Sequence, residues 1–398
     1  MDINIVTPES VLDPWPLLDR LREAGPVVRS GAMGGVWLVS SYEHCREVLL
    51  DPKRFSNTVF ASTDFGPWFE GTDTMVHTDP PDHTRLRSMV QKAFTYRSVQ
   101  QLEPRIAEIV RELLDAPEFV TGMASGEPVD VLGQFTSALP TTVISELLGI
   151  PSSDRKLFYQ WAEAMMRCIM ADPRLVPQAH IDAAVTSGRD MLAYLQTEIT
   201  ARRRSGTTDD LIGRLVQQNT DGALSDDELA ATCVTLLVAG SDTTSSTTTT
   251  MLSLLASHPE QRRRVIEDRA LVPTGIEETL RFEPTARVNF RKVLGDVELG
   301  GQRLTDGDVV WALVIAANRD PARFGEPDRY DITRNPNPHL TFGQGPHLCL
   351  GAQLARMEIR HAINAFLDRW PHYEVAERRP SPAYAALTWE KFTVAGGR

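Results

Sequence analysis

Apolar residues recur every three to four positions through most of residues 97–283, the period of helices that bury one face. The pattern differs near the N-terminus, where two short β-like stretches, Pro26 to Ser30 and Val36 to Val39, flank the turn Gly31-Ala32-Met33-Gly34-Gly35 and predict a hairpin. No GxGxxG is present and no helix follows, so the glycines read as a plain turn. A second β-rich region runs from Asn289 to Ala312, punctuated by Gly295 and Gly300-Gly301, and a last one covers the C-terminus. With no internal repeat and no linker long enough to separate domains, the pattern predicts one mainly α domain over residues 1–398 with a smaller β portion. Its longest element opens at a capping box, Ser225 as N-cap with Glu228 three residues on, and should run to His258-Pro259. Roughly 33 residues at about 1.5 Å each give a helix of about 50 Å.

Composition narrows the class. A chain of 398 residues with 42% hydrophobic positions can bury a large core, and a net charge of −12 argues against nucleic acid, whose partners carry a basic stripe. The four cysteines, Cys45, Cys168, Cys233 and Cys349, form no CxxC pair, which suggests neither a zinc site nor a disulfide framework. Met1 to Pro16 has the acids and prolines of no signal peptide, and no window approaches the roughly 18 to 20 apolar residues that span a bilayer. A cytoplasmic protein without a membrane anchor is expected.

Chemistry concentrates in the run Phe342-Gly343-Gln344-Gly345-Pro346-His347-Leu348-Cys349-Leu350-Gly351, one cysteine inside a glycine-rich loop ahead of a helix. It reads as an axial thiolate ligand for a heme iron. Gly343, Gly345 and Gly351 would let the chain fold tightly around the sulfur, and converging backbone amides would stabilise its charge and tune its potential. A second unusual stretch lies inside the long helix. Ala239-Gly240-Ser241-Asp242-Thr243-Thr244 places a carboxylate, costly to bury unpaired, after the apolar Leu236-Leu237-Val238 and before a hydroxyl run to Thr250. Those hydroxyls make a poor helix by propensity, and bonding back to carbonyls one turn earlier would account for Ser245 to Thr250.

The cysteine loop resembles the signature of the cytochrome P450 family, and further motifs follow the same order along the chain from about Leu12 onward. The resemblance implies the P450 fold, with heme b between the long helix and the Cys349 loop and dioxygen as co-substrate. It makes Phe342 and Gly343 part of the ligand loop. Ala239 and Gly240 become the place where the helix meets the porphyrin and opens a groove for dioxygen, and Asp242 and Thr243 the acid and alcohol that supply protons for splitting the O–O bond. It matches Glu278, Arg281 and Arg334 to a structural Glu-Arg-Arg network. It matches His83 and Arg87, within Asp79-Pro80-Pro81-Asp82-His83-Thr84-Arg85-Leu86-Arg87, together with Arg291 and His347, to partners of the anionic heme propionates.

The activity implied is a monooxygenase that hydroxylates or epoxidises an apolar small molecule. The alternatives weighed are a peroxide-driven variant, which has no use for the acid and alcohol, and a heme-based gas sensor, which needs no redox docking face. With no flavin or nicotinamide fingerprint, electrons would come from NAD(P)H only indirectly, through a ferredoxin and its reductase, to a monomer. Lys92, Arg85, Arg97, Arg356 and Arg360 would form a basic docking patch, unless they are dispersed surface charges. Positions matching the substrate pocket are Thr235, Val238, the aromatic loop Phe65 to Phe69 with Trp68 and Phe69, and the Met165-Met166 to Met170 region, all suited to an apolar cavity. Arg287-Val288-Asn289 departs from that character. Arg287 pointing inward would demand an anionic substrate group; pointing outward it would be a surface charge, or pair with Glu283.

Overall fold

The computed structural model describes residues 3–59, 72, 74–169, 177–206, 209–219, 224–382 and 384–396. The helices that build the site are, in chain order, α1 (Trp15–Ala24), α2 (Asp82–Gln91), α3 (Tyr96–Leu114), α4 (Ala138–Leu148), α5 (Arg155–Ile169), α6 (Gln178–Ser205), α7 (Asp226–Ser257), α8 (Val272–Phe282) and α9 (Ala352–Arg369). Helix α7 is the axis of the molecule, with α4, α5, α6, α8 and α9 all packed against it. Its 32 residues start as expected. The Ser225 hydroxyl accepts from the Glu228 N–H at 3.1 Å and the Glu228 carboxylate accepts from the Ser225 N–H at 2.7 Å.

The hydroxyl run of α7 does more than bond back along its own helix. Thr247 and Thr248 do donate to the carbonyls of Thr243 and Thr244. Others reach neighbouring elements instead: Ser245 to Ser137 at 2.8 Å, Thr249 to Thr136 at 2.7 Å and Thr250 to the indole N–H of Trp389 at 3.1 Å. Thr247 also meets Thr285 at 2.9 Å. These hydroxyls are buried, and pairing them across elements satisfies groups that would otherwise be costly in the core.

Strands β1 (Val27–Ser30) and β2 (Val36–Val39) form the predicted hairpin, Val27 opposite Val39 and Ser30 opposite Val36. β3 is Phe55–Ser56 and β4 Val129–Asp130; β5 (Val288–Val293), β6 (Val297–Leu299), β7 (Gln302–Leu304) and β8 (Val309–Leu313) occupy the second β-rich region; β9 (Glu374–Pro380) and β10 (Trp389–Ala395) occupy the last. The main sheet runs β1-β2-β8-β5-β3, and β10 joins β9 to β4. The consequence for the site is that β5 forms one wall of the space facing α7.

A buried ion network anchors the segment leading to the cysteine loop. Glu278 and Arg281, one turn apart on α8, are both 0% exposed. The Glu278 carboxylate accepts two hydrogen bonds from Arg281 at 2.8 Å and others from Arg334 Nε (3.2 Å), Asn337 (3.0 Å) and the Asp331 N–H (2.9 Å). Arg281 donates onward to the carbonyls of Asn318, Pro327 and Arg329. Nearby, the Arg319 guanidinium lies between the rings of Trp15 and Phe282, 3.3 and 3.7 Å from their centroids, so that α1 is fastened to the same region.

Two predictions follow from this packing. Glu278→Ala leaves Arg281 buried without its counterion and is expected to cost roughly 3–5 kcal/mol; denaturant unfolding that moves by less than about 1 kcal/mol would make the network dispensable. The neighbouring Glu277 is desolvated, which alone would raise its pKa, yet hydrogen bonds from Arg356 and His339 pull it down from 4.5 to about 2. A carboxyl held low contributes stability that is complete above its unfolded pKa and disappears as the pH falls through its folded one. Glu277→Gln should therefore flatten the pH dependence of stability between about 4.5 and 2; parallel curves for variant and parent would refute the assignment.

Candidate active site

A cavity of about 380 Å³ lies between α7, β5, α2 and the loop that leads into α9. Its floor is the Cys349 loop. Cys349 N–H donates to the Phe342 carbonyl at 2.8 Å, closing the loop on itself, and Gly343 N–H donates to Leu340 O at 2.8 Å. Gly343 and Gly345 sit at φ +70° and +69°, where a side chain is strained, and a Cβ on Gly345 would come within 2.8 Å of the Leu49 carbonyl. Gly351 differs from expectation: its φ is −84° and it serves as N-cap of α9, so its own left-handed freedom is not used.

Cys349 lines the cavity and is exposed. Desolvation pushes its thiol up, against the hydrogen bonds of the Gly351 and Ala352 N–H groups and the charges of Arg87 and Arg356. Gly351, Ala352 and Arg356 lie at the start of α9, so the sulfur occupies the end of a helix that favours negative charge. Arg356 also lies 4.4 Å from the centroid of the Phe342 ring.

One side of the cavity is crowded with cationic groups. The rings of His83 and His347 lie 4.1 Å apart. Arg87 donates to the Leu348 carbonyl and Arg291 to the Phe290 carbonyl, both at 2.7 Å, and Arg291 is 4% exposed. Desolvation pushes His347 down to about 3, helped by His83, Arg291, Arg87 and His77, and pushes Arg291 down to about 10. The Nε2 atom of His347 is buried with no hydrogen-bond partner. Such a cluster is electrostatically unsatisfied by its own chain, and Asp79 is the carboxylate that bears on both His83 and Arg291. It is a seat for anionic groups.

The opposite wall is α7. Thr235, Leu236, Ala239, Gly240, Thr243 and Thr244 face the cavity, and the Thr243 hydroxyl donates to the Ala239 carbonyl at 2.8 Å. Two expectations need correction here. Val238 is buried but faces away, because it lies a third of a turn round the helix from Ala239, and Leu236 takes the place expected of it. Asp242, next to Thr243, is likewise turned from this cavity into a small one shared with Ser137, Thr141, Tyr159, Glu163, Ser241 and Ser245. The acid and the alcohol thus occupy different faces of one helix.

Arg287 is neither a cavity cation nor a surface charge, and of the sequence readings the one that survives is its interaction with Glu283. It is 4% exposed, yet it does not line the cavity. Its guanidinium donates to the Val11 carbonyl at 3.1 Å, and Glu283 is the carboxylate that bears on it against its desolvation. The N-terminal segment covers it, so it is an internal fastener and not a substrate cation. Asn289, two residues on, does line the cavity.

Trp68 and Phe69, with the rest of the aromatic loop, and Met170 lie outside the described residues. Met165 and Met166 belong to the helical core and do not reach the cavity. The proposed basic patch is largely neutralised: Arg85 pairs with Glu228, Arg356 with Glu277 and Arg360 with Glu103. Sequence reasoning missed Asn57, His77, Phe94, Ile144 and Glu358 as lining residues. Glu358 had a readable position, on the helix opened by the cysteine loop; the others come from segments whose pattern carries no chemistry.

The cavity therefore suits a flat, largely apolar group with anionic arms at one edge and a metal at its centre that seeks a thiolate. Heme meets each of these conditions, and the unpartnered His347 Nε2 fits an acceptor on one arm. Comparison with known proteins agrees. A family model described as Cytochrome P450 matches residues 18–388, and the chain belongs to that family. It is 39% identical to cytochrome P450 107B1 of Saccharopolyspora erythraea over 90% of this chain and 87% of that one, and 38% identical to the monooxygenase PikC of Streptomyces venezuelae over 93% and 87%. Its fold matches the crystal structure of P450BioI in complex with an acyl carrier protein ligated to hexadec-9Z-enoic acid, with TM-score 0.90, 31% identity and coverage of 98% and 100%. The chain is accordingly a heme-thiolate monooxygenase that hydroxylates or epoxidises its substrate with dioxygen, its electrons arriving through partner proteins. Among the described residues no helix is long and apolar enough to cross a membrane.

Replacing Cys349 with His should abolish the long-wavelength Soret band that thiolate ligation gives the reduced carbon monoxide complex. Retention of that band in the variant would move the ligand elsewhere.

Proposed function

We propose that Cys349 would ligate the heme iron, that His83, Arg87, Arg291 and His347 would hold the propionates, and that the site oxidises a neutral, mainly apolar small molecule. The observation that carries this reading is the single cavity joining the Cys349 sulfur to the Thr243 hydroxyl across the apolar face of α7. Bound heme supplies dioxygen activation, with the thiolate donating electron density that favours O–O cleavage.

The chain's own residues then have distinct tasks. Phe342, Leu350 and Leu354 keep the sulfur side apolar, and Met75, Phe94, Ile144, Leu236 and Val288 wall the substrate side. Thr243 holds its hydroxyl at the cavity face, donating a hydrogen bond to Ala239 O, and from there it would serve as a proton donor to the dioxygen chemistry that heme would supply. Asp242 stands behind it as the acid, in a small space shared with Ser137, Thr141 and Ser245. Lys92 and Arg97, both exposed and without an ion-pair partner among the described residues, remain the cations of the suggested docking face for a ferredoxin served by an NAD(P)H-dependent reductase.

In a system reconstituted with a surrogate ferredoxin and reductase, Thr243→Ala should keep consuming NADPH while a large part of the flux emerges as hydrogen peroxide instead of product. Tight coupling in the variant, measured as product per NADPH, would remove Thr243 from proton delivery.

A further inference from the structure

With Arg287 sequestered beneath the N-terminal segment, the polar chemistry of the substrate wall falls to other residues. Asn289 and Arg291, two residues apart on β5, both line the cavity, as do their apolar neighbours Val288 and Phe290, the Phe290 ring also packing edge-on against Trp311. Arg291 stands at the propionate edge beside His347. Asn289 lies two residues further along, about 6.6 Å at strand spacing, and so projects inward from that edge over the apolar part of the cavity.

The remaining polar groups there are already engaged or lack charge. The Thr235 hydroxyl donates to the Ala231 carbonyl at 2.8 Å, leaving an acceptor only. His77 shares its Nδ1 with the Thr74 hydroxyl, and burial lowers it to about 4, so it is neutral at physiological pH. Asn57 donates its amide to the Val76 carbonyl. Burial holds Glu358, on the cysteine side, far above the carboxylate range. The Asn289 backbone is committed to the sheet opposite Ala312, but among the described residues its side-chain amide has no hydrogen-bond partner. An amide of this kind offers both donors and an acceptor in an apolar wall, the arrangement by which a pocket fixes orientation with few polar groups.

We infer that Asn289 is the residue that orients the substrate, and that it selects a molecule carrying a neutral hydrogen-bonding group, a carboxamide, ketone or alcohol, over one carrying a carboxylate. A carboxylate placed there would be stripped of water, with the nearest cation on that wall, Arg291, already assigned to the propionate edge, whereas a neutral carbonyl needs only the amide N–H. This rests on the heme-binding reading above, which the reduced carbon monoxide spectrum of every sample tests separately.

The probes are 1-alkylimidazoles whose imidazole nitrogen binds the ferric heme iron, with tails of graded length ending in a carboxamide, a carboxylate or a methyl group. Because the iron anchors every probe, the shift of the Soret band yields an affinity for each, and differences between tails read the wall. At the best tail length the carboxamide should bind about tenfold tighter than its methyl counterpart, with the carboxylate weakest. Asn289→Leu should collapse the carboxamide advantage, and Asn289→Asp should weaken the carboxylate further. A carboxylate that binds tightest, no carboxamide advantage at any length, or an advantage that survives Asn289→Leu would each overturn the inference. If neither variant folds, the order of the three tails on the parent enzyme decides alone.

Discussion

A carboxylate with no exposure to water must be matched by charge and hydrogen bonds or it destabilises the fold, and Glu278 is matched by an arginine, a second arginine, an amide and a backbone N–H. Three of those partners come from the irregular segment 331–337, which has little regular structure of its own to hold it. Asn318, Leu340 and Thr341 extend the same scaffold by hydrogen bonds, so the chain arrives at Phe342 in a fixed position. The Cys349 loop inherits its placement from this network. Exposed ion pairs of the same composition would contribute little; it is burial that makes this one decisive.

The site itself is organised by the two faces of α7. A helix presents neighbouring residues about 100° apart, so an acid and an alcohol adjacent in sequence can serve two different spaces. Thr243 looks into the cavity and Asp242 into a smaller space lined by hydroxyls. This separation keeps the carboxylate out of the apolar chamber, where it would be costly. The cross-element hydroxyl pairs fasten the same stretch of helix to its neighbours.

What the sequence made legible was chemistry confined to a short span. The capping box, the glycines of the ligand loop and the Glu278–Arg281 pair depend on residues within a few positions of one another, and local geometry enforced each. Features that depend on packing between distant segments were not legible. Nothing in Arg287 says that Val11 will cover it, and strand alternation alone would have turned it toward the cavity with Asn289. Val238 was misplaced by a third of a turn, an error too small for a hydrophobic pattern to show because both faces of α7 are buried. Asn57 and His77 come from stretches without period or motif, and only the folded chain brings them to the cavity. The basic patch failed for a similar reason: its arginines were read without the carboxylates that meet them across helices.

Charge is partitioned across the cavity in a way that bears on selectivity. Arg87, Arg291, His83 and His347 are massed at one edge, where burial, with repulsion from the neighbouring cations adding to it, drives His347 down to about 3. Anionic arms arriving there relieve that repulsion, so the cluster favours cofactor binding and, once neutralised, exerts little attraction on a substrate anion. The rest of the described wall carries no charge to replace it: Arg287 is turned away and His77 is neutral. A lone amide can then impose a preference, because in a wall of methyl, methylene and ring surfaces it is the one group whose hydrogen bonds a substrate can complete or leave unmet.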